Sequence, residues 1–386
     1  MAQNFTITVK TLFGFEDILA NELKQLGGLN IQKLQRMVSV EGDEGFIYKV
    51  NLACRTAIKV LKPLFTFQAQ TEKEFYDAIY AHNWNQYLDV EDTLAIDATV
   101  HSELFRHSKY IALLCKDAIV DQFRNASGSR PNVDPEKPSV RFNVHIQGSQ
   151  CTLSIDSSGD SLHLRGYRSQ TGLAPINEVL AAGLLMLSGW EGQCNFLDPM
   201  CGSGTVLIEA AMIANNIPCN IHRTFFAFQK WKSFDEALFE TIKEGLLKKT
   251  REFPYMLYGY DVDFSCIKKS RINIDQAMLE DFINVKQQDF FTSKKESEGP
   301  LHIFFNPPYN ERIQIDTEVF YQHIGSALKH GYPNSKAWLI TSNAEALKCV
   351  GLKPITKIKT FNGALESRLV GYELYEGSRK HNPKNT

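Results

Sequence analysis

The chain has 386 residues, room for two or three domains, and the composition of an ordinary soluble globular protein. A formal net charge of −2 excludes a globally basic nucleic-acid binder, so any RNA surface must be local. Eight cysteines without CxxC or Cys/His spacing, no membrane-length apolar run and no signal-peptide pattern exclude a zinc site, a disulfide framework and a membrane span, and point to a reducing cytoplasm.

Phe5-Thr6-Ile7-Thr8-Val9 alternates as a strand does. Phe15, Ile18, Leu19, Leu23 and Leu26 then fall on one helical face, which Gly27 and Gly28 end. Strands are expected at Met37–Val40 and Leu64–Phe67, with a helix from Gly45 to Leu61 between them. Such a run reads as a small α+β unit over residues 1–65. A second unit over 66–166 has a strand at Leu94–Val100, a helix at Ser108–Phe123 and a polar Gly/Pro loop from Asn125 to Pro138. Arg141–Ile146 alternates cleanly, and Leu153–Asp156, a Ser157–Asp160 turn and Leu162–Leu164 read as a hairpin. Basic candidates for RNA phosphate are Arg106, Lys109, Lys116, Arg124, Arg130, Arg141 and Arg168, with acids interleaved.

The third unit, 167–386, starts with the segment Thr171–Glu178, which opens a helix that runs to about Trp190. Asn195-Phe196-Leu197 is the end of a buried strand that leads into Asp198-Pro199-Met200-Cys201-Gly202-Ser203-Gly204-Thr205 and then a helix to Asn215. Gly202 and Gly204 let backbone approach a ligand closely. A glycine turn alone also fits a dinucleotide site or a plain strand–helix turn. No Lys follows as in a P-loop, and Asp198 suits a cationic ligand better than a phosphate. Cys219 to Phe253 is aromatic-rich and then basic: a helical cap with core aromatics is expected, with a stacking surface for single-stranded RNA as the alternative.

Met256–Asp261 and Asn284–Asp289 read as the next two parallel strands, each ending in an acid. Asp261 stands where ribose hydroxyls are held, and Asp289 can accept from an adenine amino group. A further strand ends at Phe305 and delivers Asn306-Pro307-Pro308-Tyr309. The Asn306 side-chain oxygen and the Pro307 carbonyl can accept hydrogen bonds from both N–H groups of a nucleobase amine, which concentrates electron density on its nitrogen. Proline brings no competing N–H and stiffens the loop, and Tyr309 offers a ring on which an extruded base can stack. Asp316–His330 is helical, Ala337–Thr341 a strand, and Pro354–Thr360 and Leu369–Leu374 flank an Asn362-Gly363 turn.

These motifs resemble the class I S-adenosylmethionine-dependent methyltransferases that act on exocyclic amines of adenine or guanine. The resemblance implies an α/β, Rossmann-like sheet of seven strands with one antiparallel, S-adenosyl-L-methionine as cofactor, and no metal. It assigns Asp198, Pro199, Gly202, Ser203, Gly204, Thr205, Asp261, Asp289 and Pro175 to the cofactor, and Asn306, Pro307, Pro308 and Tyr309 to catalysis. The Lys116–Asp121 helix, the Ser129-Arg130-Pro131 loop and Arg165-Gly166-Tyr167-Arg168 resemble a THUMP RNA-binding domain behind a ferredoxin-like unit. Across nearly its whole length the chain is similar to bacterial 23S rRNA guanine-N2 methyltransferases in their single-methyltransferase form. A tRNA guanine-N2 enzyme, an adenine-N6 enzyme and a non-catalytic RNA-binding assembly factor are the alternatives. Asn310, in Asn310-Glu311-Arg312, departs from the Gly usual in that family.

Overall fold

Two separate sheets organise the chain. The computed structural model describes residues 3–170, 176–308 and 316–376. They divide into one unit of residues up to 11, 19–162 and 224–245, and a second of 12–18, 163–223 and those from 246 on.

The first unit contains β1 (Phe5–Lys10), α1 (Glu16–Gln25, shared in part with the second), β2 (Leu29–Leu34), β3 (Met37–Gly42), α2 (Glu44–Ala53), β4 (Lys59–Gln68), α3 (Glu72–Ala81), β5 (Thr93–His101), α4 (Ser108–Ser127), β6 (Asn132–Val133), β7 (Val140–Gln147) and β8 (Gln150–Asp156). Its sheet runs β2-β3-β1-β4-β8-β7-β5-β6. β4 pairs antiparallel with both β1 and β8, so one sheet is continuous across residue 65, where the sequence suggests a boundary. The Asp43 carboxylate accepts Phe46 N–H at 2.8 Å and starts α2. That helix stops at Ala53 rather than Leu61, because Lys59 onward pairs with β1. The hairpin also differs from expectation: β8 turns back on β7 through Gly148, at φ +61°, and 162–164 is not a strand. Residues 224–245 supply core rather than an RNA platform. Phe228 and Phe239 pack on Tyr48, with ring centroids 4.6 and 5.9 Å away.

The second unit contains α5 (Glu178–Leu187), β9 (Asn195–Asp198) and α6 (Thr205–Ala214). After α7 (Glu236–Leu247), whose residues to Gly245 belong to the first unit, come β10 (Leu257–Asp261), α8 (Phe264–Gln276), β11 (Ile283–Gln287), β12 (Leu301–Phe305), α9 (Thr317–Gly331), β13 (Ser335–Thr341), β14 (Thr356–Asn362) and β15 (Leu365–Leu374). The seven-stranded order is β11-β10-β9-β12-β13-β15-β14. β9 to β13 are parallel where they pair, and β15 runs antiparallel to β13 and β14. Both faces are buried. Phe196, Phe304 and Ile340 join one apolar cluster, while Leu197, Ile303, Phe305 and Leu339 join the other. That is why β12 reads Leu-His-Ile-Phe-Phe without alternation. The chain winds from β9 to β10 on one side and places β12 on the other, so a crevice opens beyond the carboxyl ends of these strands.

Candidate active site

β9 carries Asp198 to the bottom of that crevice, where it is 2% exposed. Its carboxylate accepts Met200 N–H at 3.2 Å. Burial pushes its pKa up to about 8, and the nearby Asp261 charge adds to the rise. The chain then turns tightly: Cys201 N–H donates to Tyr260 O at 2.9 Å and Gly204 N–H to Cys201 O at 2.8 Å. Gly202 and Gly204 both have left-handed backbone, at φ +54° and +84°. A Cβ on Gly204 would also stand 3.0 Å from Ser270 Oγ. Glycine is therefore required there by conformation and by space together.

The Asp261 carboxylate closes the turn from the neighbouring strand. One oxygen accepts Gly202 N–H and the other Asp263 N–H, each at 2.9 Å. Burial raises the Asp261 pKa as well, against the two N–H bonds. Asp289 lies two residues past β11, where its carboxylate accepts Phe291 N–H at 2.9 Å. Asn306, Pro307 and Pro308 leave the end of β12. Asp198, Gly202, Asp261, Asp289, Asn306, Pro307 and Pro308, with Pro199, Ser203 and Thr205, line one cleft of about 480 Å³, and Gly204 stands behind this lining. Pro175 and Tyr309 lie outside the described residues. The cleft also takes Met200, Lys269, Phe291 and Phe320, which sequence reasoning missed. Phe291 and Phe320 meet edge to face at 5.4 Å. Only their tertiary placement marks them out, because each reads as ordinary core in the sequence.

S-adenosylmethionine fits this chemistry. It carries an ammonium and a sulfonium, and a buried and a half-buried carboxylate whose charge is disfavoured by desolvation gain most from a cation. Lone pairs of Asp261 beyond the two backbone bonds suit ribose hydroxyls.

The RNA candidates scatter. Lys109 and Arg130 are exposed, as is Arg106. Lys116 pairs with Asp117, and Arg124 with Asp121 at 2.6 Å. Arg141, 16% exposed, is drawn to Asp97 at 3.3 Å and Pro135 O at 2.7 Å. Each of these three is held beside an acid in the free chain, a pairing worth at most about 1 kcal/mol where it is exposed to solvent. Arg168 is corrected outright. It turns inward to Glu178 at 3.1 Å, Ile176 O at 2.9 Å and Thr205 Oγ1 at 2.6 Å, at 14% exposure. Its Nη2 thereby bridges Ile176 to Thr205, the first residue of α6.

The doubly wound sheet and its acidic, glycine-floored cleft define a class I S-adenosylmethionine-dependent methyltransferase. The family described as RMKL-like, methyltransferase domain, matches residues 165–370; a THUMP domain matches 69–156 and an RlmL ferredoxin-like domain 6–61. The chain belongs to this RMKL-like methyltransferase family. It is 35% identical over 377 residues to a ribosomal RNA large subunit methyltransferase K/L of Syntrophotalea carbinolica, covering 94% of this chain and 53% of that one. The chain thus spans about half the length of that relative. A Synechocystis protein named as a candidate RNA methyltransferase is 36% identical over 383 residues, covering 96% of this chain and 98% of its own. Among solved structures, a candidate methyltransferase crystallised with S-adenosylhomocysteine superposes with a TM-score of 0.87 at 28% identity, over 98% of this chain and 100% of that one. Among the described residues no helix is long and apolar enough to cross a membrane.

Proposed function

We propose that the chain methylates the exocyclic N2 amine of a guanine in RNA, with large-subunit ribosomal RNA as substrate. The observation that carries this reading is the shared cleft: the cofactor acids Asp198, Asp261 and Asp289 and the amine-acceptor pair Asn306 and Pro307 line one cavity. The THUMP match and the names of the two relatives support RNA, and the K/L relative's name supports the large-subunit species. Bound in this cleft, S-adenosylmethionine supplies an electrophilic methyl carbon. Asp198 would hold its cationic end, Asp261 its ribose and Asp289 its adenine. The Asn306 amide oxygen and the Pro307 carbonyl would accept the two N–H bonds of the target amine, localising the nitrogen lone pair and orienting it for in-line attack. Phe291 and Phe320 give the cleft an apolar wall suited to an extruded base.

The test is methyl transfer to unmodified rRNA and to tRNA, with the modified nucleoside identified by mass. N2-methylguanosine in rRNA is expected, and Asn306→Ala should lower the rate by about 100-fold or more, the scale of losing an electrostatic contact at the reacting centre. Transfer confined to tRNA would move the substrate. N6-methyladenosine would move the base. RNA binding that survives Asn306→Ala, with no turnover in either protein, would make the chain a non-catalytic binder.

A further inference from the structure

α8 was not anticipated from the sequence, and it supports the cofactor turn from behind. The Asp263 carboxylate caps it by accepting Ser265 N–H at 2.7 Å. Ser270 and Asn273 sit three residues apart, on one face of the helix, and both are buried, at 0% and 1% exposure. The Ser270 hydroxyl donates to Gly202 O at 2.9 Å. The Asn273 amide donates to Ser203 O at 3.0 Å. Two consecutive carbonyls of the glycine turn are thus drawn to one helix face.

The rest of the Asn273 side chain is used too. Its second N–H donates to Gln170 O at 2.9 Å, and its oxygen accepts Ser169 N–H at 3.2 Å and Gln170 N–H at 3.1 Å. Two donors and two acceptor sites are all that a primary amide has. Aspartate lacks the donors and leucine lacks everything, so no other side chain of this size makes the same four bonds. Neither Ser270 nor Asn273 lines the cleft, whereas Ser265, Cys266 and Lys269 of the same helix do.

We propose that Ser270 and Asn273 are positioning residues for S-adenosylmethionine, fixing the 202–205 turn and tying it to residues 169–170 before the cofactor arrives. The reason lies in peptide geometry. In a planar trans peptide the carbonyl and the following N–H point in opposite directions. Holding Gly202 O against α8 therefore aims Ser203 N–H away from α8. Gly204 N–H is likewise set by the Ser203 carbonyl, and it is used internally by Cys201 O. A turn already held in this form does not have to be ordered when the cofactor binds. This inference rests on the reading of the cleft as the cofactor site.

The experiment is calorimetric titration of the full chain with S-adenosylmethionine and S-adenosylhomocysteine, alongside ligand-free melting. Asn273→Ala should raise both Kd values about tenfold or more, and Ser270→Ala by a smaller factor, in line with the loss of four bonds against the one to Gly202 O and a long contact with Cys201 Sγ at 3.9 Å. In methyl transfer to rRNA, KM for S-adenosylmethionine should rise while kcat at saturation stays within about twofold, because no group that touches the acceptor base has changed. Asn215→Ala is the structural control. Asn215 is a buried amide in the same unit whose side chain donates to its own helix, at Ala211 O. It should lower the melting temperature and leave both Kd values alone. Wild-type Kd values in Asn273→Ala and Ser270→Ala, or a rise that Asn215→Ala reproduces, would overturn the proposal. Should Asn273→Ala not fold, Ser270→Ala alone decides. A wild-type chain that binds neither ligand would overturn the cofactor reading and this inference with it.

Discussion

Asp261 accepts the backbone N–H of Gly202 at 2.9 Å, joining the end of β10 to the turn that follows β9. This bond lets Asp261 help set the turn that Asp198 opens, besides the ribose contact proposed for it. Asp261→Ala should therefore do two things. It should raise the Kd for S-adenosylmethionine by at least about tenfold, and it should lower the ligand-free melting temperature, since a charge-assisted bond to a half-buried N–H is worth ~1.5–3 kcal/mol. Asp261→Asn keeps an acceptor for Gly202 and should recover most of the melting temperature but less of the affinity. Equal affinity in all three proteins, measured by calorimetry, would remove Asp261 from the cofactor site.

Asp198 gives a pH signature. Its pKa in the folded chain lies at about 8, raised from 3.8 chiefly by burial. The folded state thus holds a proton that the unfolded state has released. By linkage this stability is fully present below about pH 4 and is lost as pH rises through 8. A cationic ligand selects the carboxylate, so below pH 8 its binding should release a proton and weaken as pH falls, by up to about tenfold per unit. Calorimetry in buffers of different ionisation enthalpy measures that proton. Asp198→Asn should melt higher than the wild type at pH 8 without ligand and bind S-adenosylmethionine poorly. If the substitution left proton release intact, the proton would belong to another group.

Much of this site was legible because it obeys one rule. Residues at the carboxyl ends of parallel strands face the crevice, so strand periodicity puts a glycine turn, two acids and Asn306-Pro307-Pro308 at that edge, and the family resemblance supplies their roles. What failed had no such rule behind it. β2 is a six-residue edge strand whose alternation over Leu29–Gln32 breaks at Lys33-Leu34 and buries neither face, and α8 has too few apolar positions for a clear helical stripe. Asn273 could not be found without α8. Arg168 was misread because a basic residue beside an RNA-binding region invites a phosphate, while its true partner, Glu178, lies ten residues away and is 1% exposed. The β7–β8 hairpin was displaced because Ser157–Asp160 has turn composition just as Gly148 does. Only the pairing of β4 with β8 decides between them.

His302, near the start of β12 and outside the lining of the cleft, offers a test of the sheet itself. It is buried against Trp190 and Phe196 and shares a hydrogen bond with Ser188 Oγ at 3.0 Å. Burial lowers its pKa from 6.5 to about 3, with the Lys336 charge acting the same way. The folded state therefore keeps a neutral ring, and this stability is present above pH 6.5 and lost as pH falls toward 3. His302→Gln should destabilise the chain at pH 7.5, through lost packing, yet flatten the decline in melting temperature between pH 6.5 and 4.5. A parallel decline in both proteins would place the acid sensitivity elsewhere.

Gly202 and Gly204 separate strain from space. Both have left-handed backbone, which costs an L side chain ~1–2 kcal/mol. At Gly202 an added Cβ meets nothing within 4 Å, whereas at Gly204 it stands 3.0 Å from Ser270 Oγ. Gly202→Ala should therefore lose stability by the conformational term alone. Gly204→Ala should lose more, because Ser270 must shift and its bond to Gly202 O weakens. Adding Ser270→Ala to Gly204→Ala should then recover part of the loss, and adding it to Gly202→Ala should recover none. Denaturant unfolding of six proteins, the wild type, the three single variants including Ser270→Ala and the two double variants, measures the coupling as two double-mutant cycles. Additive losses at both glycines would mean that the crowding at Gly204 relaxes without cost, leaving conformation alone as the reason for glycine there.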